Sequence, residues 1–286
     1  MPVELARCAR YAGGGRLRSG PLSGNSIRVT MPHLSIHQFP CLKDNYGVLI
    51  HESESGLTAA IDAPCAATVQ QALASKGWRL SHILTTHHHA DHTGGNLVLK
   101  QETGCIVIGP REEAARIPGI DQATGEGDAI EFGSFRVRVL ETPGHTLGHV
   151  SYWIPEASAA FAGDTLFAMG CGRVLEGSHE MMWTSLQKIA ALPRDTQVYC
   201  GHEYTLANAQ FGLTIEPDNV ALRQRAHDVT ALRAEGLPSL PTRIDLELET
   251  NVFLRPHIAA IRNKLNMRAA ADWRVFGEMR ERKNRA

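Results

Sequence analysis

His87, His89, Asp91 and His92 place three imidazoles and one carboxylate within six residues, in the segment Thr86-His87-His88-His89-Ala90-Asp91-His92-Thr93-Gly94-Gly95. Imidazole and carboxylate donors together suit zinc, iron or manganese, and this many exceed what a single open catalytic ion takes up. The spacing H-x-H-x-D-H therefore points to two metals. In an extended segment successive side chains alternate, so His87 and His89 can converge on one ion while Asp91 and His92 turn towards a neighbour. His88 falls on the other side of that alternation and is not expected to ligate.

Two ions need more donors than one loop supplies, and the chain offers them downstream of strand-like runs. His145 lies in Thr142-Pro143-Gly144-His145-Thr146 after the alternating run 135–140, Asp164 in Ala162-Gly163-Asp164-Thr165 after the apolar run 159–161, and His202 in Tyr199-Cys200-Gly201-His202. Each donor sits at a strand end beside glycine, where a sheet fixes the backbone and a loop presents the side chain. The first loop is itself delivered by a strand over 79–85. Before it, 33–39 reads as a strand, 46–51 and 57–61 as a hairpin, and 68–75 as a helix closed by Gly77. After it, a helix starts near Asn96 and strands follow over 105–108 and 135–140. Beyond His202 the pattern becomes helical, over 220–233, 258–264 and 269–282. Pattern alone supports a mixture of helices and strands.

The motifs H-x-H-x-D-H, T-P-G-H-T, G-D-T and C-G-H-E-Y, in this order, resemble the metallo-β-lactamase superfamily, and within it the glyoxalase II family, the hydroxyacylglutathione hydrolases. Further cues are Asp44-Asn45-Tyr46, Gly163-Asp164-Thr165-Leu166-Phe167, Gly170-Cys171-Gly172-Arg173 with Glu176-Gly177, and Gly201-His202-Glu203-Tyr204-Thr205. The resemblance covers residues 31–286. It implies an α+β chain: an αββα metallo-β-lactamase sandwich over 31–202 followed by a helical substrate-binding domain over 203–286. It implies two divalent metal ions, zinc first with iron or manganese as alternatives. His87, His89 and His145 would hold one, Asp91, His92 and His202 the other, and Asp164 would bridge both. Asp91 and Asp164 would act in catalysis with a metal-bound hydroxide. The substrate implied is a glutathione thioester, S-D-lactoylglutathione above all, hydrolysed to glutathione and D-lactate in the second step of methylglyoxal detoxification. Arg173, Tyr204, Arg280 and Lys283 match positions that contact glutathione in this family. Leu175 departs from the family pattern, which often carries an aromatic residue there.

Composition narrows the alternatives. With 29 Lys and Arg against 30 Asp and Glu, the net charge of −1 does not favour a dedicated nucleic-acid or membrane binder. No apolar run approaches the roughly 18 residues of a spanning helix. Cys8, Cys41, Cys65, Cys105, Cys171 and Cys200 are scattered without framework spacing, so all six are expected to be reduced thiols in a cytoplasmic monomer. Cys171, Cys200 and His149 are expected to pack or hydrogen-bond near the site without ligating. Residues 1–30 carry five arginines against a single Glu4 and the run Gly13-Gly14-Gly15, which suits a disordered extension or a start placed too far upstream. Two other functions compete: a persulfide dioxygenase of the same superfamily with a single iron, and a nucleic-acid-binding or processing protein using the basic residues of the two termini.

Overall fold

Alternation along the strands decides what covers each sheet. The computed structural model describes residues 33–286, so the expectation for residues 1–30 lies outside the described residues. The first sheet is β1 (Leu34–Cys41), β2 (Asn45–Glu52), β3 (Thr58–Ile61), β4 (His82–Leu84), β5 (Ile106–Pro110) and β6 (Gln122–Thr124), neighbours in that order. Leu49, Ala60, Ile83 and Val107 turn to one face, where helices α1 (Ala66–Lys76) and α3 (Asn96–Thr103) cover them with Val69, Leu73 and Leu99. Their strand neighbours Val48, Ile50, Ile61, Leu84 and Ile108 turn to the other face. A one-turn helix, α2 (Ala90–Thr93), holds Asp91 and His92 between them.

The second sheet packs on that inner face. It comprises β7 (Ala129–Phe132), β8 (Phe135–Glu141), β9 (Val150–Ile154) and β10 (Ala159–Phe161), and then, after a small hairpin of β11 (Leu166–Phe167) and β12 (Gly170–Cys171), β13 (Gln197–Tyr199) and β14 (Thr242–Arg243). The order is β14-β13-β10-β9-β8-β7. Phe132, Val137, Val139, Tyr152, Phe161 and Tyr199 meet the first sheet to form the central core. Ala160 and Val198, one residue out of phase, face the opposite way, towards α4 (His179–Ala190) and the helices that follow. Those are α5 (Thr205–Ile215), α6 (Val220–Ala234), α7 (Ile244–Thr250), α8 (Ala259–Leu265) and α9 (Asp272–Asn284). Helix, sheet, sheet and helix are thus stacked in four layers, as the α+β expectation had it. The last layer is shared: Met182, Leu186 and Ile189 of α4 join Phe211, Phe253 and Phe276 in one apolar cluster.

Element boundaries moved for local reasons. Helix α1 ends at Gly77, whose φ of 68° supplies the left-handed turn. The strand expected over 79–85 shrinks to β4, because Ser81 ties its hydroxyl to Thr58 O and His82 Nδ1. Helix α9 starts three residues later than expected, since Asn266 closes α8 with φ 59° and a turn follows. Helix α4, capped by Ser178 on Met181 N–H, was not expected, although Met182, Ser185, Leu186 and Ile189 set its buried stripe at helical spacing. No described helix is long and apolar enough to cross a membrane.

Candidate metal centre

The seven residues expected to ligate converge at the same edge of the two sheets. His87 and His89 follow β4, Asp91 and His92 sit on α2, His145 lies in the β8–β9 loop, Asp164 follows β10 and His202 follows β13. His87 Nε2 is 3.0 Å from His89 Nδ1, which is 3.1 Å from His145 Nε2. On the far side of Asp164, His92 Nε2 lies 3.4 Å from Asp164 Oδ1 and 3.6 Å from Asp91 Oδ2, and His202 Nε2 lies 3.4 Å from both Asp91 Oδ2 and Asp164 Oδ2. His145 Nε2 is 3.5 Å from Asp164 Oδ2. Asp164 therefore stands between two groups of donors.

Which nitrogen faces the centre is fixed from outside. His145 Nδ1 is 2.8 Å from Arg173 O, and a carbonyl can only accept, so Nδ1 carries the proton and Nε2 its lone pair. Asp62 receives His92 Nδ1–H at 2.8 Å, and Asp44 receives His202 Nδ1–H at 3.1 Å. Thr86 donates its only hydroxyl proton to Asp62, so at 3.0 Å it accepts from His87 Nδ1–H, which leaves His87 Nε2 as a lone pair too. In their neutral forms, His87, His92, His145 and His202 thus all turn the Nε2 lone pair towards the same space. His92 Nε2 and Asp164 Oδ1 are buried and have no hydrogen-bond partner. A cation is what such an arrangement fits, because unpaired buried lone pairs are otherwise costly.

Asp62 holds this geometry under strain. Its φ is 58°, in the left-handed region, and its carboxylate also accepts Thr86 N–H at 2.7 Å. Gly201 is required for a different reason: a Cβ there would lie 2.6 Å from Asp164 Oδ1 and 2.7 Å from His92 Cε1. His149 is fully buried and accepts the N–H of Asp164 at 3.0 Å, so it props the backbone of the central carboxylate. Burial opposes ionisation of Asp164, but the imidazoles of His92, His202 and His145 outweigh it and hold its carboxyl well below the usual range. Burial would likewise lower His92, yet Asp164, Asp62 and Asp91 raise it to about 9. Burial pushes His87 and His149 well down and keeps both rings neutral.

The four residues expected to contact substrate line one cavity of about 270 Å³ together with His145, Asp164, Phe167, Cys171, Ala207 and Asn208. Arg173 leaves β12 and Tyr204 precedes α5, while Arg280 and Lys283 project from α9. Tyr204 stacks on His202, ring centroids 4.8 Å apart and planes within 3°. Arg280 is more committed than its sequence position suggested: only 3% exposed, it donates to Cys171 O at 2.9 Å and Asn284 Oδ1 at 3.1 Å and lies over the Phe253 ring. Leu175 is exposed and does not line the cavity. His88 is engaged with Glu113 and Glu176. Cys171 and Cys200 are buried, and the five described cysteines form no disulfide; Cys8 lies outside the described residues. Asp44, Asp62 and Thr86, which orient the rings, were not picked out from sequence for that role. In a sequence they are ordinary polar residues, and Asp62 is 30 residues from the ring it turns.

Comparison with known proteins follows this division of labour. The metallo-β-lactamase superfamily model matches residues 60–202, and the model for the hydroxyacylglutathione hydrolase C-terminus matches residues 203–286. A hydroxyacylglutathione hydrolase of Brucella anthropi is 55% identical over 253 residues, which are 88% of this chain and 97% of that one. Among solved structures, a metallo-β-lactamase from Staphylococcus aureus matches with a TM-score of 0.61 at 20% identity, over 88% of this chain and 72% of that one. The BLEG-1 B3 metallo-β-lactamase matches with a TM-score of 0.59 at 22% identity, over 77% and 99% respectively. These two likenesses concern the fold.

Proposed function

The chain belongs to the hydroxyacylglutathione hydrolase family of the metallo-β-lactamase superfamily, and from that premise we infer that it hydrolyses S-(2-hydroxyacyl)glutathione thioesters, chiefly S-D-lactoylglutathione. The products are glutathione and a 2-hydroxy acid, D-lactate in the chief case, which completes methylglyoxal detoxification. The observation that carries this is the cavity: Arg173, Tyr204, Arg280 and Lys283 surround a space whose inner wall is His145 and Asp164. A tripeptide with two carboxylates meets three cations there while its acyl end meets the donor cage.

The chain binds divalent metal through its histidine and aspartate clusters. We assign His87, His89 and His145 to one ion, Asp91, His92 and His202 to a second, and Asp164 to both, with zinc as the first choice and iron or manganese as alternatives. When bound, such ions supply water deprotonated near a pKa of about 7 and an electrophile for the thioester carbonyl oxygen. The protein does the rest. Asn45 Nδ2 holds Asp91 Oδ2 at 3.1 Å, so this half-buried carboxylate is fixed where it orients the attacking water. Burial and the neighbouring carboxylates push the Tyr204 phenol up to about 12, so it remains a donor to substrate at neutral pH. Lys283 is lowered to about 8 by burial and by Arg280, so it stays mostly charged at neutral pH, and a substrate carboxylate beside it would hold that charge more firmly. The leaving thiol has a pKa of about 8.5 and departs as thiolate without a dedicated acid.

We further propose that residues 31–202 form the catalytic domain and 203–286 the substrate-binding domain, a boundary supported by the two matched models meeting at 202 and 203. A cytoplasmic monomer acting on a small molecule, without nucleic acid, suits a cavity complete within one chain. Hydrolysis of S-D-lactoylglutathione by purified protein, followed alongside metal content, tests the whole proposal. Two ions per chain and thioester cleavage lost on chelation are expected. Oxygen consumption on a persulfide with one iron per chain would replace it.

A further inference from the structure

His88 sits between two of the assigned ligands and points its bonds elsewhere. Its backbone N–H donates to Glu113 Oε2 at 2.7 Å, and its ring Nδ1 is 2.7 Å from the same oxygen. The other oxygen, Glu113 Oε1, accepts the N–H of Gly148 at 3.0 Å. One carboxylate therefore grips two loops: the one after β4 that carries His87 and His89, and the one between β8 and β9 that carries His145. Glu113 is 2% exposed, so the cost of burying its charge is offset only while both oxygens keep their donors. Gly148 makes the grip possible, since a Cβ there would lie 2.6 Å from Glu113 Cγ.

The cluster extends to Glu176, whose Oε1 is 3.7 Å from His88 Nε2 and 2.9 Å from Arg116 Nη1, and whose Oε2 accepts Leu147 N–H at 3.1 Å. It does not suit a third metal. Both Glu113 oxygens are spent on N–H donors, and the Arg116 guanidinium already answers Glu176. What remains is a mechanical role. The bases of the two loops are joined at strand level by Val150 N–H to Thr86 O at 2.9 Å and Tyr152 Oη to Thr85 O at 2.7 Å. Glu113 joins them further out, at the height of the ligands, from a short 3-10 segment (Arg111–Arg116) that directly follows β5.

We propose that Glu113 is a positioning residue for the three-histidine metal position, setting the distance between the His87–His89 loop and the His145 loop without touching metal or substrate. This rests on the ligand assignment made above. A carboxylate that orients ligands from outside typically changes metal affinity about 10- to 100-fold when lost. Glu113→Gln keeps the size but turns one oxygen into a donor that faces an N–H. Glu113→Asp keeps the charge but is one methylene too short to reach both loops.

The test is chelator-competition titration with zinc on wild type, Glu113→Gln and Glu113→Asp, with metal-free thermal stability and steady-state kinetics on the same samples. One of the two ions should bind roughly 10- to 100-fold more weakly in both variants, the other should be unchanged. At limiting zinc kcat should fall, and added zinc should restore it at unchanged KM. His88→Ala, which keeps the backbone bond to Glu113, should weaken the same ion less. Folded variants with both affinities at wild-type values, or a stability loss alone, overturn the role of Glu113 while leaving the metal centre standing. A wild type that binds none of zinc, iron and manganese would overturn the ligand assignment itself, and this inference with it.

Discussion

The cage at the sheet edge and the cationic face of α9 both bury charge, but they leave it in opposite states. In the cage, His87, His92, His145 and His202 each have one ring nitrogen tied to an outer acceptor and the other aimed at the centre, where His92 Nε2 and Asp164 Oδ1 find no partner. On α9 the cations are largely satisfied by the protein: Arg280 by Cys171 O and Asn284, Lys283 by Ala207 O at 3.2 Å. The first arrangement is incomplete without a cation and so demands one. The second is stable by itself and can offer substrate only its spare donors. Chemistry is therefore expected to be all-or-none in the cage and graded on the helix.

The sharpest way to break that contrast is Asp164→Ala. Removing the carboxylate that stands between the two donor groups should lower metal content and reduce kcat/KM at least about 10⁴-fold, roughly 5.5 kcal/mol. Metal analysis and a lactoylglutathione assay check it. An active variant with full metal content would mean that Asp164 bridges nothing.

A second break lies under the helical layer. Glu247 is fully buried and accepts from Arg225 Nη2 at 2.6 Å, Asn251 Nδ2 at 2.9 Å and Met169 N–H at 2.8 Å. Met169 belongs to the turn of the β11–β12 hairpin, which leads to Arg173, and Asn251 also holds Gly170 O at 2.9 Å. The helices thus shape the hairpin as well as roofing the cavity. Glu247→Ala strands Arg225 and should cost about 3 to 5 kcal/mol in denaturant unfolding. Metal content should stay at two ions per chain, because the cage takes its orienting bonds from elsewhere. Loss of metal in a folded variant would show the two regions to be one unit.

The contrast also explains what the sequence could and could not disclose. The gathering of donors at strand ends beside glycine was legible, since imidazoles packed that densely have little other use, and so was the alternating run 135–140, whose Phe135, Val137 and Val139 turn to the core. The supports were not. Asp44, Asp62 and Glu113 resemble any surface carboxylate until the fold brings them to a ring or a loop. Nor does spacing say that His89 faces inward through Nδ1 while His87 uses Nε2. The burial of Arg280 was hidden for the same reason: in a basic tail it looks solvated, and only its bond to Cys171 O and its place over the Phe253 ring show that it is not.

That burial refines the substrate side. Lys283→Ala removes a half-buried cation whose protein contact is a single carbonyl, so KM should rise with kcat nearly unchanged, by about 1 to 3 kcal/mol in kcat/KM. Arg280→Ala also strips the donor from Cys171 O, so kcat should fall along with the rise in KM. Thioesters lacking the tripeptide should be indifferent to Lys283→Ala but still feel Arg280→Ala. Identical profiles for the two variants would remove the distinction between a gripping and a shaping cation.

The smallest effect separates the regions by pH. In the cage, His92 is raised to about 9, so a metal must displace its proton, and metal affinity should fall steadily as pH drops below that value. The helical layer has the opposite dependence on its charge. Burial would raise the Glu216 carboxyl, but bonds from Arg255 at 2.8 and 2.9 Å and from Asn219 at 3.0 Å more than offset this and hold it below its ordinary 4.5. A depressed carboxyl stabilises the fold fully above its unfolded value, and that stability is lost only as pH falls through the lower folded value. Glu216 is buried but glutamine keeps one acceptor for the Arg255 guanidinium, so Glu216→Gln should cost about 1 kcal/mol at pH 7, shrinking to nothing as the pH falls through that lower value. Metal release should therefore begin in mild acid while the helices remain folded. Tracking bound zinc and far-ultraviolet dichroism across one acid titration checks the order, and coincident transitions would mean that cage and helices fail together.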